Sequence, residues 1–126
     1  MKPTQFIKDH GLERARDILE QREKYIHVEK PTHFDTDLKI FFHKDDVIEL
    51  DESDIDLSGL KRLVESVDLV NSFGGLKAAK RKVKMALFNG FLLISFPVDS
   101  GIGSIYTYKV ELAIKDYESI YGEGNE

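Results

Sequence analysis

The chain has 126 residues, 41% hydrophobic and 33% charged, which suits one folded domain and is too apolar for a disordered chain. It contains no cysteine, which excludes disulfides, thiolate metal sites and thiol chemistry, and its net charge of −5 opposes general affinity for nucleic acid. No apolar stretch reaches the roughly 20 residues that span a membrane, and "MKPTQFIKDH" lacks the core of a secretory signal, so a soluble, cytoplasmic protein without membrane partners is expected.

Thr4 is placed to cap a short first helix that buries Phe6 and Ile7 and breaks at His10-Gly11. A second helix is predicted from about Leu12 to Arg22, with Leu12, Ala15 and Leu19 as its buried stripe. "KYIHVE" (Lys24 to Glu29) suits a strand that Pro31 ends. "LKIFFH" puts Leu38, Ile40 and Phe42 on one face of a strand, with "DVIEL" (Asp46 to Leu50) as its expected hairpin partner. The acidic "DESDID" is read as a loop.

The third helix is the clearest element. "DLSGLKRLVESVDLVNSF" aligns Leu60, Leu63, Val64, Val67 and Val70, with Asp56 or Ser58 as its cap. Gly74-Gly75 ends it. A fourth helix then buries Leu76, Ala79, Val83, Ala86 and Leu87, while Lys77, Lys80, Arg81 and Lys84 form a basic ridge on the neighbouring arc. "FLLISFPV" (Phe91 to Val98) reads as a buried strand or as more of the fourth helix. Phe91, Leu92 and Leu93 fill either the core or a dimer interface, so the oligomeric state is open. Asp99 to Gly103 is a turn. Ser104 then caps a last helix ending near Gly122, with Tyr106, Val110, Ala113, Tyr117 and Ile120 inside. The expected fold is a single α+β domain over 1–126, with a frayed tail at 122–126. A small antiparallel sheet of two to three strands packs against about four to five helices.

"HGLERARDIL" and "GGLKAAKRKV" share Gly-Leu-x-x-Ala and a basic residue. In each, glycine breaks one helix while leucine and alanine start the next buried stripe, which makes a corner without requiring a duplication.

Few residues carry a chemical signature. His33, Asp35 and Asp37 point the same way on an extended chain, and His43 follows, a set that could hold a divalent metal. Alternating polar residues are equally what an exposed strand looks like, so neither a metal nor a cofactor is expected. Nucleophile elbows, zinc-protease helices, phosphate loops and dinucleotide glycine patterns are all missing, which points away from an enzyme. The glycines of "GIGSIY" would suit a helix start that binds an anion, or a plain turn.

Charge is unevenly distributed. Asp45 to Asp56 holds seven acids and no base, and Lys77 to Lys84 holds five bases and no acid. Asp45, Asp46, Glu49, Asp51, Glu52, Asp54 and Asp56 could imitate a phosphate backbone on a partner protein, with Val47, Ile48 and Leu50 as anchors. Helix, glycine turn and basic helix also outline a helix-turn-helix, in which Lys77, Lys80, Arg81 and Lys84 would meet nucleic acid.

"FIKDHGLERARDILEQ", "DLSGLKRLVESVDLVNSFGGLKAAKRKV" and "AIKDYESIYG" resemble small accessory proteins of temperate phages and prophages of enteric bacteria. That resemblance implies a bacterial host cytoplasm and an interaction with a host or phage protein, such as inhibition of a defence or nucleic-acid-handling complex. The alternative it allows is a transcriptional regulator. It carries over no catalytic residues.

Overall fold

The computed structural model describes residues 1–26 and 29–122, and only the backbone of Pro97. Five helices and two small antiparallel sheets form among these residues, an α+β fold. The expected single sheet is thus two sheets. The chain forms two compact units, Met1–Val64 and Glu65–Glu126. None of the described helices is long and apolar enough to cross a membrane.

In the first unit, α1 (Pro3–His10) and α2 (Leu12–Glu23) meet at Gly11. Thr4 does not cap α1. Pro3 opens the helix, because its fixed φ and missing N–H suit the first turn, and Lys2 provides no side-chain cap. Ala15 and Ile18 are the buried positions of α2, whereas Leu12 and Leu19 are only half-buried. Ile18 lies three residues from Ala15, so the stripe runs one position off the expected line. Lys24–Ile26 and Glu29 form no strand; the Lys24 and Tyr25 amides instead prolong the helix end by bonding to Gln21 and Arg22. His27 and Val28, in the middle of that expected strand, lie outside the described residues.

The three-stranded sheet has the order β2 (Ile40–Phe42), β1 (His33–Asp35), β3 (Asp54–Asp56). The partner of Ile40–Phe42 is therefore His33–Asp35, and not Asp46–Leu50. The Asp35 carboxylate explains the change, since it accepts the amides of Asp37 (2.9 Å) and Leu38 (3.0 Å) and so closes a tight turn. Lys39 completes the turn at φ +59°, and Leu38 is drawn out of the strand to an exposed position. Asp54–Asp56, read as loop, pairs with the other edge of β1. Phe34 and Ile55 are buried across that pair, and the Phe34 ring meets Phe41 edge-on at 4.9 Å.

Helix α3 (Leu57–Ser72) buries Leu60, Leu63, Val64, Val67 and Val70 as its spacing requires. It ends where the Gly75 amide reaches back to the Val70 carbonyl at 3.2 Å. Gly74 and Gly75 sit at φ +102° and +112°, conformations costly to any residue with a Cβ.

In the second unit, α4 (Leu76–Phe88) and α5 (Thr107–Tyr121) pack around Val70, Leu76, Ala79, Val83, Ala86, Ile94, Val110, Ala113 and Ile114. Full burial of each large aliphatic side chain here is worth about 1.5–3 kcal/mol. Leu87 is not part of this core and is exposed, because it follows Ala86 round the helix beyond the buried stripe. The choice at residues 91–98 resolves as a strand, β4 (Leu93–Val98). Gly90, at φ +71°, turns the chain out of α4, and the Phe91 amide caps the Ala86 carbonyl at 2.8 Å.

β5 (Gly101–Tyr106) pairs with β4 in register across the two-residue turn Asp99-Ser100. Ser104 is therefore a strand residue and not a helix cap. Its segment alternates Ile102, Ser104 and Tyr106 on one face, and α5 begins only at Thr107. Tyr106, expected inside, is exposed. Val110, Ala113 and Ile120 are buried as expected, and Tyr117 half-buried.

Candidate functional site

The acidic run lies in the first unit and divides by the work each carboxylate does. Asp45 and Asp46 stand on a single 3-10 turn, Lys44–Asp46, whose start is fixed by His43. The His43 Nδ1 accepts the Asp45 amide at 3.1 Å, and Nε2 reaches the Glu29 carboxylate at 2.9 Å. A shallow groove lined by Tyr25, Glu29, Phe42, His43, Asp45 and Asp46 adjoins this turn. Glu49 and Glu52 are exposed.

Asp51, Asp54 and Asp56 serve the backbone. Asp51 Oδ1 accepts the Ser53 amide (2.9 Å) and hydroxyl (2.6 Å), and these bonds hold its carboxyl below the usual aspartate value. Asp54 is half-buried in β3, and its carboxylate accepts the Asp51 amide at 2.8 Å. Asp56 Oδ1 accepts the Ser58 amide (3.1 Å) and hydroxyl (3.0 Å), which caps α3. Asp51 and Asp56 are exposed but engaged in these turns, and Asp45, Asp46, Glu49 and Glu52 are the other exposed carboxylates of the run.

The aliphatic residues between them are uncovered as well. Val47 and Leu50 are exposed, and Ile48 is exposed to 106% of its reference area. Ser53 and His43 shape this segment; the sequence does not single out Ser53, and it presents His43 only as a candidate metal ligand. The repeated Asp-x-Ser spacing at Asp51/Ser53 and Asp56/Ser58 is the signal that could have revealed the turn chemistry.

The basic ridge lies in the second unit. Lys77, Arg81 and Lys84 are exposed on the side of α4 opposite its buried stripe. Lys80 leans onto α5, where its ammonium meets the Glu118 carboxylate at 2.8 Å. Phe88 continues the ridge four residues past Lys84 and is 90% exposed.

The set His33, Asp35, Asp37 and His43 does not converge. His33 is buried in β1, stacked on Phe42 and bonded through Nδ1 to the Thr32 hydroxyl at 2.7 Å. Asp37 sits in the turn that Asp35 closes. Among the described residues, no group of three or more His, Asp or Glu side chains could hold a metal. "GIGSIY" lies in a strand, so it offers no helix start to an anion. Comparison with protein-family models, curated proteins and solved structures finds no match.

Proposed function

We propose that the protein is a non-enzymatic interaction protein whose segment 45–52 occupies a basic surface on a host protein. The observation that carries this is the fully exposed Ile48, flanked by Val47 and Leu50 and set among four solvent-facing carboxylates. Acidic residues alone make a solvated loop, and the exposed aliphatics change that. Carboxylates steer the encounter and set the register, while apolar side chains that lose their water supply much of the affinity. Carboxylates spaced along a chain also present a charge pattern like that of a phosphate backbone. The class of partner is then a nucleic-acid-handling or defence complex, consistent with the resemblance to phage accessory proteins.

Replacing Asp45, Asp46, Glu49 and Glu52 by lysine tests this. None of the four is part of the buried core, so circular dichroism should be unchanged. Partner affinity should fall on the order of a hundredfold or more. Undiminished binding with an unchanged salt dependence would refute it.

A further inference from the structure

The second unit leaves a broad apolar face uncovered. Phe91, Leu92, Leu93, Tyr106, Tyr108 and Leu112 are each at least 50% exposed. They are contiguous through the backbone and the rings. Leu93 lies opposite Tyr106 in the β4–β5 register, and the Tyr106 ring stacks on Tyr108 at 5.8 Å. Leu112 follows Tyr108 by one turn of α5. The Thr107 amide donates to the Leu92 carbonyl (2.8 Å) and its hydroxyl to the Phe91 carbonyl (3.0 Å), which ties the residues before β4 to the start of α5.

The size of this face is informative. A large aromatic side chain covers about 150–250 Å². At these exposures the six residues leave on the order of 700 Å² open, close to the roughly 800 Å² that each partner contributes to a standard interface. The largest apolar patch on an ordinary monomer is about 300–600 Å². The hairpin gives a second reason. Two strands alone are marginal, and here only the inner face, with Ile94 buried, is packed. The outer face carries Leu93, Ile102 and Tyr106 into solvent.

We propose that this face is the interface of a twofold homodimer, covered by the same face of a second copy of the chain. A twofold contact requires a surface that complements itself. The six side chains are all uncharged, so like surfaces meet without repulsion. At the margin, Glu111 and Lys115 are four residues apart on α5. Across antiparallel α5 helices, each Glu111 would meet Lys115 of the second copy.

Light scattering and sedimentation velocity on the full chain test the proposal. At about 100 µM, well above the micromolar dissociation constants that such areas support, the mass should be about twice the 14.4 kDa of one chain. The double variant Leu92→Glu/Tyr108→Glu alters only exposed side chains. It should keep the circular dichroism spectrum and weaken a micromolar dimer at least about a thousandfold, which at about 100 µM leaves mostly monomer. Raising salt from about 0.1 M to about 1 M should leave an apolar dimer intact, whereas contacts through the acidic segment would weaken. Ile48→Glu should leave the mass unchanged. A wild-type monomer at this concentration would overturn the proposal. So would a double variant that still dimerises, or a dimer lost to salt or to Ile48→Glu.

Discussion

Asp56 is where charge and structure can be separated by substitution. Its Oδ1 takes the Ser58 amide at 3.1 Å and the Ser58 hydroxyl at 3.0 Å, so it satisfies a donor in the first turn of α3 that has no helical partner. Removing such a cap costs about 1 kcal/mol, and loss of the negative charge at the helix start adds about 0.3–1 kcal/mol. Asp56→Ala should therefore destabilise the protein by about 1–2 kcal/mol. Asp56→Asn keeps an acceptor oxygen and loses only the charge, so about 0.5 kcal/mol is expected. At about 4 °C per kcal/mol for a chain of this size, Tm should fall by about 4–8 °C for alanine and about 2 °C for asparagine. Differential scanning calorimetry at neutral pH reads both. Equal losses for the two variants would mean that charge and not capping matters, and an unchanged alanine variant would refute the cap altogether.

Gly90→Ala should cost about 1–2 kcal/mol in urea denaturation, because the residue sits at φ +71° and an added Cβ meets no atom within 4 Å. The whole penalty is thus conformational, and Gly90→Asn should recover part of it. Asp51 supplies a pH test. Its carboxyl is held below the ordinary value of 3.8 by Ser53, so its stabilising effect is complete above that value and is lost as pH falls through the lowered one. Ser53→Ala should move the Asp51 titration midpoint, read by carbon NMR, upward toward 3.8. An unmoved midpoint would exclude the Ser53 hydroxyl as the cause.

The helices were largely legible because a stripe such as Leu60, Leu63, Val64, Val67 and Val70 repeats over several turns, long enough for a period of 3.6 to stand out. The first sheet was not. Its strands have three residues each, too few to display a period of two, and His33–Asp35 is paired on both sides although its sequence looks polar. β5 was hidden by glycine and serine, which also read as a turn and a helix cap. Leu87, Phe91 and Leu93 show a different limit: hydrophobicity marks residues that avoid water, and it does not say whether a core or another surface excludes it. The acidic run was visible as charge. Which carboxylates it could spare depended on backbone amides two residues away, as with Asp51 and Ser53.

The proposed role of segment 45–52 meets its most direct test in paired affinity captures from a lysate of enteric bacteria, quantified by mass spectrometry. Wild-type protein and the variant carrying lysine at Asp45, Asp46, Glu49 and Glu52 serve as baits. A nucleic-acid-handling or defence protein should be enriched by the wild type, lost on the variant, and released from the wild type as salt rises. The same proteins recovered on both baits, with equal resistance to salt, would contradict an acidic interaction surface.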